Sequence, residues 1–167
     1  MQIRAENKED WVAIQVVNES AFESPAEATL VATLRQQASP VTSLVAVVGG
    51  DVVGHIMFSP VVLGGYPKLN IMGLAPMAVI PEHQGKGIGS ALVRAGLEGC
   101  KKLGCGAVVV LGHPEYYPRF AFTPSTRFDI GCEYDVPEEV FMAVELRPDY
   151  LERASGKIKY HVAFNSV

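Results

Sequence analysis

The run Ile80-Pro81-Glu82-His83-Gln84-Gly85-Lys86-Gly87-Ile88-Gly89-Ser90 carries the densest chemical signal in the chain. Three alternating glycines let the backbone bend and approach a ligand with no Cβ in the way. The residues before them read as an apolar strand, Leu69–Ile80, and those after as a helix, Gly87–Leu103. A loop that opens a helix presents unpaired N–H groups at the positive end of the helix dipole, which suits a phosphate. Lys86 adds a positive charge. Two common phosphate motifs do not fit. In the nucleotide pattern G-x-x-x-x-G-K-[ST], Ile80 stands where the first glycine belongs and Gly87 where the hydroxyl residue belongs. In the dinucleotide pattern G-x-G-x-x-G, Ser90 replaces the third glycine, and no acidic residue ends the next strand to hold a ribose.

A second segment, Leu111-Gly112-His113-Pro114-Glu115-Tyr116-Tyr117-Pro118-Arg119-Phe120-Ala121-Phe122, follows the next apolar strand, Ala107–Leu111. It places a titratable His113 and two phenols beside the end of a buried strand, where a histidine can titrate near neutral pH. The other carboxylates and imidazoles that could serve as a base are Glu23, His55, His83 and Glu115; Glu82 and His83 are expected to face solvent beside the glycine loop.

The elements that position these residues can be read around them. Gln2–Arg4 suggests a short strand. Asn7 is a fitting N-cap for a helix over Lys8–Glu19, with Trp11, Val12, Ile14, Val16 and Val17 as its apolar face. Ser24-Pro25 opens a second helix, with Glu27 completing a capping box and Leu30, Val31 and Leu34 facing inward. Ser43–Val48 and Val52–Leu63 form a hairpin about Gly49-Gly50-Asp51, the second strand bending near Ser59-Pro60. The helix over Gly87–Leu103 turns Ile88, Leu92, Val93, Leu97 and Leu103 inward and ends at Gly104. The strand–helix–strand order makes the strands on either side of it parallel. Glu139–Leu146 is a late strand, and Ile158–Phe164 another. The fold class is α/β: a mixed central sheet, antiparallel and then partly parallel, with helices on both faces.

Composition narrows the function. The chain has 167 residues, 49% hydrophobic and 19% charged, which fits one domain over 1–167 with a substantial core. With 14 Lys and Arg against 18 Asp and Glu, the net charge is −4, so no basic field invites nucleic acid. The N-terminal residues are polar, and the apolar runs are strand-sized, so neither an export signal nor a membrane span is expected. Cys100, Cys105 and Cys132 lack the spacing of zinc ligands and read as free thiols of a cytoplasmic protein.

The run Ala78-Val79-Ile80-Pro81-Glu82-His83-Gln84-Gly85-Lys86-Gly87-Ile88-Gly89 fits the pattern Q/R-x-x-G-x-G, and with it the chain resembles the GNAT superfamily of acetyl-CoA-dependent acyltransferases, in particular its YhbS-like bacterial branch. The likeness runs from the first strand to about Leu146. It implies a GNAT-like sheet and acetyl-CoA as acyl donor. It implies that Met77, Ala78 and Val79 pair with the pantetheine arm, and that the amide of Val79 meets the oxyanion where two strands splay apart. It implies that Gly85, Lys86, Gly87, Ile88, Gly89 and Ser90, with Gln84 opening the motif, cradle the pyrophosphate. The second segment resembles the family's Y-x-x-x-G-F element, which makes Tyr117 the acid that protonates the departing thiolate; Tyr116 is its neighbour for the same role. A thiolate of pKa ~8.5 can take a proton from a phenol of pKa ~10 as charge develops.

The chain departs from the pattern at two places. Ala121 stands where relatives usually have glycine, and the strand Met72–Val79 holds no carboxylate to act as base. Among the candidates named above, His113 stands at the strand end and Glu23 at the entry to the second helix, and an acceptor that arrives neutral needs no strong base. The function implied is transfer of an acetyl group to a small amine or a protein lysine, by direct attack in a ternary complex. The late strands are those that pair subunits in relatives, so a homodimer is expected. The alternative is a non-catalytic acyl-CoA-binding sensor or partner-docking module; a phosphate-ligand enzyme such as a kinase is the third reading.

Overall fold

The computed structural model describes Met1–Val167. Seven strands form the main path of a twisted sheet in the order β1-β2-β3-β4-β5-β8-β6, where β1 is Gln2–Ala5, β2 Thr42–Val48, β3 Asp51–Leu63, β4 Ile71–Val79, β5 Ala107–Leu111, β6 Thr123–Pro124 and β8 Phe141–Glu145. Two more strands, β7 (Ile130–Cys132) and β9 (Gly156–Lys159), pair with each other, and β9 also pairs with the end of β3. Pairings from β1 through β4 are antiparallel, β4–β5 is parallel, and β5–β8 returns to antiparallel. The expected mixed sheet is therefore present.

Helix α3 (Ile88–Lys102) covers one face, and α1 (Trp11–Phe22) and α2 (Ala26–Gln37) cover the other. The alternation of β3 explains both layers. Ile56 and Phe58 point to α3 and meet Leu92 and Val93; His55 and Met57 point to α1 and α2. Close approach of α3 to the sheet depends on Gly96, where a Cβ would lie 2.2 Å from the Phe58 ring. No helix is long and apolar enough to cross a membrane.

Several elements differ from expectation. Asn7 caps a short 3-10 turn over Lys8–Asp10, and α1 itself begins at Trp11. Its buried side is Ile14, Val17 and Asn18, while Trp11, Val12 and Val16 face solvent. Ser24 Oγ accepts from Ala26 N–H, but Oε1 of Glu27 is buried without a partner, so the capping box is half formed. Leu103 is exposed, because it lies past the end of α3. The tail is a strand only to Lys159, and a 3-10 turn occupies Val162–Ser166. All three cysteines are free and buried.

Candidate functional site

The site is built on a fork between β4 and β5. They pair only through Ile71–Ala107, Met72–Val108 and Gly73–Val109. Beyond Gly73, β4 stays with β3 and β5 stays with β8, so the parallel ladder opens. The cause lies in β4. Met77 faces Ile56 and Leu74 faces Phe58, which leaves both Ala75 and Pro76 opposite Met57. That is a bulge, which bends its strand, and Pro76 has no N–H to offer a ladder.

At the end of the fork, Ile80 N–H donates to Val53 C=O at 2.9 Å. Strand amides alternate sides, so the N–H and C=O of Val79 point away from β3, toward the gap β5 has left. The side-chain amide of Gln84 donates to Val79 C=O at 2.8 Å. The carbonyl is thus satisfied, and the Val79 N–H faces the gap, as the backbone of Met77 does two residues before it. The sequence motif placed Gln84 with the ligand; here its side chain fastens the loop to the strand.

The glycine loop follows at once. Gly85 and Gly87 have φ of 75° and 85°, and no atom lies within 4 Å of a Cβ built on either. Both glycines answer a backbone need and leave an open surface. Gly87 caps α3 with no side chain in the cap, so the N–H groups of Ile88, Gly89 and Ser90 at the first turn are free of intrahelical partners. Lys86 is exposed beside them. The Met77 side chain packs by Gly89, so the strand and the loop form one continuous wall.

The Tyr116–Tyr117 segment closes the other side of the fork. Tyr116 O–H and Ser90 Oγ hydrogen-bond at 2.9 Å, which pins this segment to the start of α3. Arg119 stacks over the Tyr116 ring at 4.4 Å and donates to its carbonyl at 2.8 Å. Tyr117 is buried among Tyr116, Phe120 and Phe122, with its ring pressed on Gly112, where a Cβ would lie 2.3 Å away. Its hydroxyl bonds no protein group, and burial, then the nearby Tyr116, push its pKa up to about 12. Ala121 adopts φ 73°, the left-handed conformation a glycine would favour, so the turn keeps its course at a cost in strain.

The base candidates are scattered. His113 is exposed in the same loop as Tyr117, its carbonyl accepting from the N–H groups of Tyr116 and Tyr117. Glu115 is exposed nearby and Glu82 beside the glycine loop. Glu23 ends α1 in a left-handed conformation, exposed on the α1–α2 side of the sheet, and is not brought to the Tyr117 loop. His55 is sealed. Asn18 Nδ2 donates both to Ile14 C=O at 3.0 Å and to His55 Nδ1 at 3.2 Å. That leaves His55 Nε2–H to donate to Ser43 Oγ at 2.9 Å, and the Ser43 hydroxyl to donate to Glu6. Arg35 binds Glu6 at 2.7 and 3.1 Å. Burial lowers the His55 pKa to about 4, so this imidazole is a neutral structural link and takes no substrate proton. The Tyr116–Ser90 tie was not read from sequence; the two residues lie 26 positions apart, and nothing local links them.

Residues 6–121 match the model of the acetyltransferase (GNAT) family. The chain belongs to the GNAT family. It is 37% identical over 166 residues to the uncharacterized N-acetyltransferase YhbS of Escherichia coli K12, covering 99% of each chain. The crystal structure of YhbS from Escherichia coli in complex with CoA superposes with a TM-score of 0.92 at 36% identity, covering 98% of this chain and 91% of that one. A GNAT family acetyltransferase from Brucella melitensis in complex with acetyl-CoA gives 0.80 at 36% identity, covering 98% and 97%. In this chain the fork and the glycine loop share one wall.

Proposed function

We propose that the protein transfers the acetyl group of acetyl-CoA to an amine within a ternary complex. The observation that carries this reading is the fork, which opens beside the glycine loop with the Val79 N–H turned toward it. Crystal structures of two relatives, one with CoA and one with acetyl-CoA, support the same donor.

In this reading the pyrophosphate lies on the amides of Gly85–Ser90 with Lys86 beside it, and the pantetheine arm runs along Met77, Ala78 and Val79. The thioester then sits in the fork. The amine nitrogen forms a bond to the thioester carbon, and the carbonyl oxygen becomes an oxyanion that accepts from Val79 N–H. Collapse breaks the carbon–sulfur bond, and Tyr117 O–H gives its proton to the leaving thiolate. The proton released by the amine goes to His113, exposed in the Tyr117 loop, to Glu23 at the end of α1, or to solvent.

Release of free CoA from acetyl-CoA tests the reading, measured with a thiol reagent across a panel of small amines and lysine peptides. Amine-dependent release is the expected result. Acetyl-CoA binding without release for any amine would replace it with the sensor reading.

A further inference from the structure

Two polar side chains of α3 hold the Tyr117 loop. Ser90 Oγ and Tyr116 O–H hydrogen-bond at 2.9 Å, and the guanidinium of Arg94 lies over the Phe120 ring at 5.1 Å. Ser90 and Arg94 are four residues apart, so both contacts leave from one side of the helix. They differ in what they can transmit. Arg94 lies beyond the first turn. Ser90 lies within it, and the Tyr116 oxygen also covers Gly89, 3.4 Å from where a Cβ would be. The first-turn amides of α3 suit an anion. Whatever fills the glycine loop therefore steadies the residue that holds Tyr116.

The ring of Tyr116 rests on Tyr117. The two meet edge-on, with centroids 5.0 Å apart and planes at 87°, and the Tyr116 ring meets Phe120 at 5.3 Å. Arg119 covers the same ring at 4.4 Å. Displacement of the Tyr116 hydroxyl therefore moves a ring against which Tyr117 packs. The backbone around them is held by short-range bonds. Tyr116 and Tyr117 N–H donate to His113 C=O at 3.1 and 3.4 Å, and Ala121 N–H donates to Pro118 C=O at 3.0 Å. These bonds close single turns within the loop, the kind that open locally at small cost.

We propose that Tyr116 is a positioning residue, which transmits occupation of the glycine loop by the pyrophosphate to the Tyr117 loop. The inference rests on the acetyl-transfer reading above. The path runs from the first turn of α3 through Ser90 Oγ to the Tyr116 hydroxyl, and through the Tyr116 ring to Tyr117. Tyr116 neither touches the thioester nor gives up its proton. Its work is to set the proposed acid in place when the donor is bound.

The test follows backbone amides of the whole protein by NMR, with 3′-phospho-ADP as the probe. This is the part of CoA that carries the pyrophosphate. It has no pantetheine arm, so it fills the loop without entering the fork. Shifts of the Ile88–Ser90 amides report occupancy. At saturation, hydrogen exchange at Tyr116, Tyr117 and Ala121 is expected to slow about fivefold in wild type. Tyr116→Phe keeps the ring, and Ser90→Ala keeps the amide. In both, the Ile88–Ser90 amides should still shift, and exchange in the Tyr117 loop should no longer respond to the probe. A bond that served the fold alone would alter exchange by the same factor with and without the probe. Occupancy without slowing in wild type, or slowing that survives in either variant, overturns the inference alone. Absence of any shift at Ile88–Ser90 with CoA itself overturns the acetyl-transfer reading and this one with it.

Discussion

Burial of Tyr117, then the nearby Tyr116, disfavours the phenolate. With its pKa pushed up to about 12, Tyr117 stays protonated at any working pH, as the proposed donor role needs. Tyr117→Phe should therefore lower kcat by about 10²-fold with little change in KM for acetyl-CoA. The wild-type profile should show no alkaline loss that Tyr117→Phe abolishes below about pH 10. An alkaline limb near neutrality that vanishes in the variant would mean another environment for this hydroxyl. His55 gives a second test at the same scale. Its pKa falls from 6.5 unfolded to about 4 folded, so the unfolded chain binds the proton first as pH drops. Stability is complete above about pH 6.5 and is lost between there and about pH 4, with a ceiling of about 3 kcal/mol. Urea unfolding at pH 7.5 and pH 5 should show the loss in wild type and a smaller one in His55→Gln; equal losses would exclude His55 as the source. That His55 could act as a base was a fair reading of its residue type. Its burial was not legible, since it depends on Asn18, Ser43 and Glu6, which come together only when α1 crosses β3.

The elements show why part of the site could be read and part could not. The glycine loop was plain because its strand, glycines and helix are contiguous, and local geometry fixes what they do. The fork was not legible in the residues themselves, because the bulge at Ala75 and Pro76 is a relation between β4 and β3; the expectation that two strands splay came only with the family resemblance. The inward side of α1 failed for a different reason. Trp11, Val12, Ile14, Val16 and Val17 are apolar almost all the way round the helix, so the pattern has no single phase, and a buried Asn18 marks the inner side. The turn after Tyr117 offers an element-scale test. Ala121 sits at φ 73°, where a Cβ crowds the backbone. Ala121→Gly should stabilise the protein by about 1 kcal/mol in chemical unfolding, the relief of left-handed strain less the extra freedom of the unfolded glycine. A loss of stability instead would show that the Ala121 methyl contributes packing that outweighs its strain.

For the whole molecule, the sheet separates two approaches. The glycine loop and α3 occupy one face, the α1–α2 corner and the β7–β9 segment the other, and the fork joins them. In the proposed reaction the amine attacks the thioester directly, and the three cysteines, all buried, offer no exposed thiol for a covalent relay. The most direct test of this account is thermal unfolding with acetyl-CoA, for wild type and for Gly87→Glu. Gly87 has φ 85° and faces open space at the start of α3, so glutamate there strains the loop and sets a negative charge at the proposed pyrophosphate site. At ~100 times its dissociation constant, acetyl-CoA should stabilise wild type by about 2.7 kcal/mol, a rise of roughly 5–10 °C. The account predicts that rise in wild type and its absence in Gly87→Glu. An equal rise in both proteins, or none in wild type at millimolar acetyl-CoA, would contradict it.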